Sequence, residues 1–197
     1  MSRLSALVVA LSLLVTFATA TANAVSAAKA ESGQGRPSEP SAYRMDDYRS
    51  PTPATLSGAT VVDTKGAKRL LHEGRSVFVD VLPRAPRPQG LPASTVWRPK
   101  PRKDIPGSIW LVDTGYGALP SAMERYFLEG LAKATGQDKH RPLVFYCLRD
   151  CWMSWNAAKR AAEAGYGAVY WYPDGTDGWA EAGLLLEPRE PEARPDE

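Results

Sequence analysis

A chain of 197 residues has room for one domain with its own hydrophobic core and little more, which sets aside a two-domain reading. Its 24 Lys and Arg nearly balance 22 Asp and Glu, for a formal net charge of +2, so nothing electrostatic points to nucleic acid. The only two cysteines are Cys147 and Cys151, close together in one loop, so any thiol chemistry is concentrated there.

The first stretch has Arg3 as a positive start, an apolar run from Leu4 to Phe17, and small residues ending in Ala22-Asn23-Ala24. This is the pattern of a secretory signal with cleavage after Ala24, Ala18-Thr19-Ala20 being the alternative site. The run is too short for a bilayer span, which needs about 20 apolar residues. Residues 1–24 are therefore expected to be a signal peptide, and the mature protein to be periplasmic, without a membrane span, in a compartment where disulfides form. Their removal takes away Arg3 and no acid, leaving 23 basic against 22 acidic side chains.

Residues 25–42 are Ala, Ser, Gly and Pro with a few charges, too poor in bulky apolar groups to order, and are expected to be a disordered leader. The domain is expected over 43–187. Within it, short β-branched or aromatic runs alternate with helical segments, which predicts α/β architecture with a mainly parallel central sheet of about five strands flanked by helices. The strands are placed at Thr60 to Val62, Ser76 to Leu82, Ser108 to Leu111, Leu143 to Tyr146 and Ala168 to Tyr172. Thr64 is expected to cap a helix over Lys65 to Glu73 stopped by Gly74; Ser121 caps one to Ala134, ended by Thr135-Gly136; a third runs from about Met153 to Ala164, closed by Gly165; and Thr176 or Asp177 caps a last short one ended by Gly183. Residues 83–107 hold seven prolines, too many for regular structure, in a loop long enough to wrap over a site. The basic cluster at its end, Arg98, Lys100, Arg102 and Lys103, reads as a solvated loop. Residues 188–197, mostly Pro and charge, are expected to be a frayed tail.

The strand at Leu143 to Tyr146 delivers Cys147 to the carboxyl edge of a parallel sheet, where ligands of open α/β folds bind. A helix starts within a few residues, and its free N–H groups and positive dipole end would lower the pKa of a thiol held there. Cys147 is thus the candidate nucleophile and Cys151 the resolving thiol, with Leu148, Arg149, Asp150 and Trp152 forming the anion cradle.

Beyond the loop come Ala157-Ala158, Gly165-Tyr166, Val169-Tyr170, Gly175, Trp179 and Ala182-Gly183-Leu184; upstream stand Val79-Asp80-Val81 and Ile105-Pro106-Gly107-Ser108. Together, over roughly Gly58 to Glu187, this resembles the rhodanese-like superfamily. More narrowly, Cys147 through Trp152, Met153 to Arg160, Tyr170-Trp171-Tyr172-Pro173, Gly175 to Trp179 and Tyr43 to Tyr48 resemble the periplasmic PQQ-dependent catabolism-associated CXXCW-motif proteins. The resemblance implies association with quinoprotein alcohol oxidation, without implying that this chain binds the quinone. Two departures stand out. Three residues separate the cysteines rather than two, and Trp152 occupies a place where an ordinary sulfurtransferase loop carries an Arg for an anionic donor such as thiosulfate. Arg149 is the available substitute.

Other readings of the cysteines stay open. A structural bridge closing so small a loop would stabilise by about 2 kcal/mol, which favours reactivity over stapling. A Cu(I) site from the two thiols and Met153 lacks a third strong ligand, since His140 precedes the strand whose far end bears Cys147 and belongs at the opposite sheet edge, and His72 reads as surface. No cofactor is therefore expected outside that reading. The implied functions are a rhodanese-like sulfurtransferase or thiol-redox protein acting on a small sulfur or thiol substrate or a periplasmic redox protein, against a non-catalytic accessory module. Trp152 is the candidate for partner contact, whereas Trp155 and Trp179 are placed in the core. Asp174 to Gly178 reads as a turn and helix cap, and Asp80 and Asp113 as acids at the site edge or structural hydrogen-bonding groups.

Overall fold

The computed structural model describes residues 35–98 and 100–194; the expected signal peptide and the first part of the leader lie outside them. A five-stranded, wholly parallel sheet forms the centre, in the order β1-β6-β5-β2-β4. Its strands are β1 (Thr60–Val61), β2 (Val77–Asp80), β4 (Ile109–Trp110), β5 (Leu143–Tyr146) and β6 (Val169–Trp171). The helices between them are α1 (Thr64–His72), α2 (Ser121–Thr135), α3 (Trp152–Glu163) and α4 (Gly175–Glu181). This is the α/β architecture expected from the alternating pattern.

β2 and β5 are buried at every position, which is why Val77 to Val79 and Leu143 to Tyr146 run apolar instead of alternating; only Asp80, at the end of β2, breaks the pattern. Successive side chains point to opposite faces and so feed two separate cores. Val77, Val79, Leu143, Phe145 and Trp171 pack with Phe127 and Leu131 of α2 and Trp155, Ala158 and Ala161 of α3. Phe78, Val144 and Tyr146 pack with Ala67 and Leu70 of α1 and Trp179 of α4. Trp155 and Trp179 are core residues, as expected.

The helix ends depart by a residue or so. Asp63, not Thr64, caps α1, its Oδ1 accepting the Gly66 N–H at 2.8 Å. α2 ends on Gly136 at φ 66, the left-handed conformation that glycine adopts without strain. α4 begins at Gly175, and Thr176 does not cap it, because its hydroxyl is turned toward the cysteine loop.

A second sheet was not expected. β3 (Arg102–Asp104), at the end of the Pro-rich stretch, pairs antiparallel with β7 (Glu187–Arg189), and Glu192 N–H reaches Trp110 O at 2.9 Å. The ordered chain therefore continues past 187. It also starts before Tyr43, since Glu39 accepts the Ser57 N–H at 2.6 Å and the Thr55 hydroxyl at 2.5 Å. Arg102 is no solvated loop cation: its side chain is 12% exposed and paired with two buried acids. That pairing draws the Pro-rich stretch down onto the sheet. Among the described residues, no helix is long and apolar enough to cross a membrane.

Candidate functional site

Cys147 follows the last residue of β5, at the carboxyl edge of the sheet, and Cys151 is the N-cap residue of α3. The two are joined as a disulfide across a loop whose ends lie 6.5 Å apart at Cα, inside the span a bridge requires. The turn is made at Asp150, whose φ of 52° is one that aspartate tolerates better than most residues. Both cysteines are buried, at 0% and 1% exposure. His140 stands before β5, at the other end of the strand, as expected.

The loop is held from one side by the start of α4. Thr176 gives its N–H to the Cys147 carbonyl at 3.0 Å, and its hydroxyl lies 3.4 Å from the same oxygen. Gly175, at φ 53°, lies so close that a Cβ would collide with that carbonyl, 2.7 Å from its carbon. Asp177 Oδ2 accepts the Arg149 N–H at 2.9 Å. The run expected to be a turn and helix cap thus also holds the cysteine loop, and the acids and Thr between its glycines are the residues that do so.

Two of the expected cradle amides are therefore spoken for. Arg149 N–H goes to Asp177, and Trp152 N–H to Tyr48 O at 2.9 Å, leaving those of Leu148, Asp150 and Cys151 without an acceptor among the described residues. Arg149 does not replace the missing anion-binding Arg. Its guanidinium forks onto both Glu181 oxygens at 2.7 and 2.6 Å, with Asp174 at 3.6 Å, and these bonds hold its charge more firmly than in a free Arg. Arg49, Arg149, Asp150, Asp177, Ala180 and Glu181 line an open depression of about 700 Å³ beside the loop.

From the other side, the chain from Tyr43 to Thr55 lies across α3 as a strap. Asn156, wholly buried, accepts the Arg44 N–H at 2.9 Å and donates to Arg44 O at 2.9 Å and Gly115 O at 3.0 Å. Trp155 Nε1 donates to Thr55 O at 3.2 Å and Trp152 Nε1 to Ser50 Oγ at 3.1 Å. Tyr43 bonds Glu163, and its ring lies 4.7 Å from the Arg160 guanidinium, which itself braces the carbonyls of Thr114, Tyr116 and Gly117. Trp152 is thus no exposed docking residue. It is 2% exposed, edge-on to Trp155 at 5.5 Å, with Arg44 5.3 Å over its ring. The strap was visible in the sequence only as a motif; that it covers the cysteine loop was not.

Beneath the loop sits a buried charge cluster. Asp80, whose register partner on β5 is Tyr146, accepts from Arg102 Nε at 2.7 Å and from Leu82 N–H at 2.8 Å. Arg102 Nε is also 2.9 Å from Asp104 Oδ1, at an angle that makes no hydrogen bond. Burial, and then the neighbouring Asp80, push the Asp104 carboxyl up to about 9, so it keeps its proton at neutral pH. Although burial works against its charge, Asp80 and Asp104 raise the Arg102 guanidinium further. Tyr146, bonded to Ser108 Oγ at 2.7 Å, is raised well above the ordinary tyrosine range, first by burial and then by Asp80. Asp80 is therefore a structural acid of this cluster. Asp113 is occupied elsewhere, on Arg194 at 2.5 Å and Arg84 N–H at 3.3 Å. No group of three or more His, Cys, Asp or Glu suited to a metal occurs among the described residues.

The rhodanese-like domain model matches residues 63–182. No curated protein matches. Among solved structures, an uncharacterised Saccharomyces cerevisiae protein is 25% identical, covering 64% of this chain and 95% of that one, at a TM-score of 0.38. The polysulfide-sulfur transferase of Wolinella succinogenes is 23% identical over 68% of this chain and 82% of its own, at 0.42. A human single-domain sulfurtransferase is 22% identical over 62% and 96%, at 0.38.

Proposed function

Because this chain belongs to the rhodanese-like family, we propose that it is a thiol and sulfur-transfer protein in which Cys147 is the nucleophile and Cys151 the resolving thiol. The observation that carries the reading is the Cys147–Cys151 disulfide itself, set at the carboxyl edge of β5 where the chain turns into α3. In the cycle, the reduced Cys147 thiolate attacks the terminal sulfur of a small persulfide. A Cys147 persulfide forms and the donor leaves as its thiolate. Cys151 thiolate then attacks Cys147 Sγ, expelling hydrosulfide and closing the disulfide. A partner dithiol returns the pair to the reduced state and is itself oxidised, so the sulfur leaves as sulfide at the cost of one dithiol. No bound cofactor enters these steps.

A neutral or polarisable donor suits this loop better than thiosulfate, since Arg149 is committed to Glu181 and Trp152 stands in the Arg position of ordinary sulfurtransferases. We place the mature protein in the periplasm after loss of residues 1–24, in the service of PQQ-dependent alcohol oxidation, on the signal pattern and the CXXCW-type resemblance. Growth on an alcohol by a strain lacking the gene tests that setting. The chemistry is tested by loading with a small organic persulfide and reading the mass of the protein. Cys151→Ser should hold one extra sulfur on Cys147, and Cys147→Ser none. Loading of Cys147→Ser, or identical behaviour of the two variants, overturns the assignment.

A further inference from the structure

Breaking the Cys147–Cys151 bond requires room. Bonded sulfurs lie about 2.05 Å apart, whereas non-bonded heavy atoms settle at roughly 3.5–4.0 Å, so two thiols need roughly 1.5 Å more. Both cysteines are buried in one core with Trp152 and Met153, against which Tyr48 and Leu148 pack, and Cys147 Sγ already lies 3.5 and 3.7 Å from the carbonyl oxygens of Cys151 and Leu148. A core packed in this way yields only where one of its elements moves. Cys147 is clamped: it continues the middle strand β5, its carbonyl accepts the Thr176 N–H at 3.0 Å, and Gly175 closes against it. Cys151 is not. It makes no side-chain cap bond, its N–H has no acceptor among the described residues, and Asp150 before it turns at φ 52°. Its carbonyl is tied to Ser154 Oγ at 3.1 Å, and Ser154 accepts Trp171 Nε1 at 3.0 Å, so the first turn of α3 moves as one piece about Ser154.

That turn carries the strap's central grip. Trp152 gives its N–H to Tyr48 O at 2.9 Å and its indole N–H to Ser50 Oγ at 3.1 Å. The rest of the strap is fastened elsewhere: Arg44 to Asn156, Thr55 to Trp155, and the Tyr48 ring to Tyr116 and the Gly117 N–H, with Thr52 buried. We propose that the cysteine pair is a redox switch for the strap: the disulfide holds Trp152 where it grips the strap, and reduction shifts the first turn of α3 and releases Arg49 to Pro51. A dithiol reductant breaks the S–S bond through a mixed disulfide and closes into its own, so its two electrons and two protons end on Cys147 and Cys151. The proposal rests on the pair cycling as in the proposed function, and not on sulfur being carried. Arg49 also lines the depression of about 700 Å³ that Asp150 borders, so its release uncovers the reduced pair to a donor from that side, and its return shuts the oxidised pair away. Because such coupling is reciprocal, loosening the strap also shifts the pair toward the dithiol.

The test is residue-resolved hydrogen exchange by NMR on the full chain, oxidised and then reduced with a phosphine, the thiols being counted by alkylation. The Trp152 amide is the reporter, because at the first position of α3 it has no acceptor within the helix and is protected through Tyr48 O. Its exchange should rise at least about tenfold on reduction while that of the Leu131 amide in α2 holds. The double variant Cys147→Ser, Cys151→Ser should match the reduced protein with no reductant present. Unchanged Trp152 exchange in either sample overturns the proposal, and so does a rise shared equally by Leu131, which is general loosening. Ser50→Ala, which drops the strap's bond to the indole, should lower the equilibrium constant for disulfide formation in a glutathione buffer roughly fivefold, the worth of one hydrogen bond. An unmoved constant also overturns the switch. Persulfide loading of Cys151→Ser is read separately. A freed Trp152 amide in the reduced protein with no sulfur on Cys147 would sink the cycle and keep the switch, whereas normal loading with an unmoved amide would do the reverse.

Discussion

Asn156→Ala is the sharpest probe of the strap. The side chain is wholly buried and makes three hydrogen bonds, two to Arg44 in the strap and one to Gly115. At a net of about 1 kcal/mol each, the two strap bonds are worth about 2 kcal/mol, and this comes off the cost of lifting the strap. The disulfide beneath is 0% and 1% exposed, so a small dithiol reaches it only when the strap opens. A 2 kcal/mol drop then speeds reduction roughly 30-fold. The Gly115 carbonyl stays buried with its donor gone, which brings the total loss of stability to about 3 kcal/mol. The assay is the rate of reduction by dithiothreitol, read as alkylated protein by mass. Leu131→Ala is the control: it lies in α2 away from the strap, is fully buried, and should lose about 2–5 kcal/mol as a core cavity. If the two variants accelerate reduction in proportion to their lost stability, the disulfide is reached by global unfolding and the strap is no gate.

Three further outcomes are expected. Asp104 titrates at about 9 when folded against roughly 3.9 in a free chain, so the folded state holds a proton the unfolded state has released, and the stability present below the lower value drains away as pH rises through the higher one, by up to about 1.4 kcal/mol per unit. Asp104→Asn should therefore flatten the fall in urea midpoint between about pH 5 and about pH 8; an unchanged slope would refute the buried-proton assignment. Gly175→Ala meets both a positive φ and the Cys147 carbonyl, and should destabilise by roughly 2 kcal/mol or more and alter the disulfide's reduction rate; a neutral result in denaturant titration contradicts the tight approach. Arg149→Ala removes an exposed fork onto Glu181 and should leave the melting temperature and persulfide loading nearly unmoved; loss of loading would return Arg149 to the anion site.

The sheet was readable because its strands are short apolar runs set between good helix signals. β5 was placed to the residue, and all five strands of the central sheet were anticipated. β3 and β7 were not, since a Pro-rich stretch and a charged tail carry no local preference for pairing, and β3 is tied to the sheet by the Arg102–Asp80 pair, which joins residues far apart in sequence. The cysteine loop was placed by its position after β5. What surrounds it was misjudged in the same way throughout. Arg149 and Arg102 exchange the roles that exposure would suggest, and Trp152 is buried by a strap more than a hundred residues away in sequence, at a separation of 102 for its bond to Ser50. Local pattern reports which face of an element is apolar; it does not report which distant segment will cover it.

The strap also sets an order of events during folding. Arg44, Ser50 and Thr55 bond to partners 112, 102 and 100 residues downstream, and among the described residues β1 pairs only with β6. The strap, which also meets Tyr116 and Gly117 through Tyr48, and β1 therefore complete their packing only once α3 and β6 exist, and such long-range contacts form late and slowly. Cys147 and Cys151, by contrast, need only the turn between them. Oxidation can thus be completed in an open, partly folded chain, after which docking of the N-terminal segment closes over the finished bond. An exchange partner or oxidant that acts on the nascent chain would meet a different, far more accessible pair than one that acts on the folded protein.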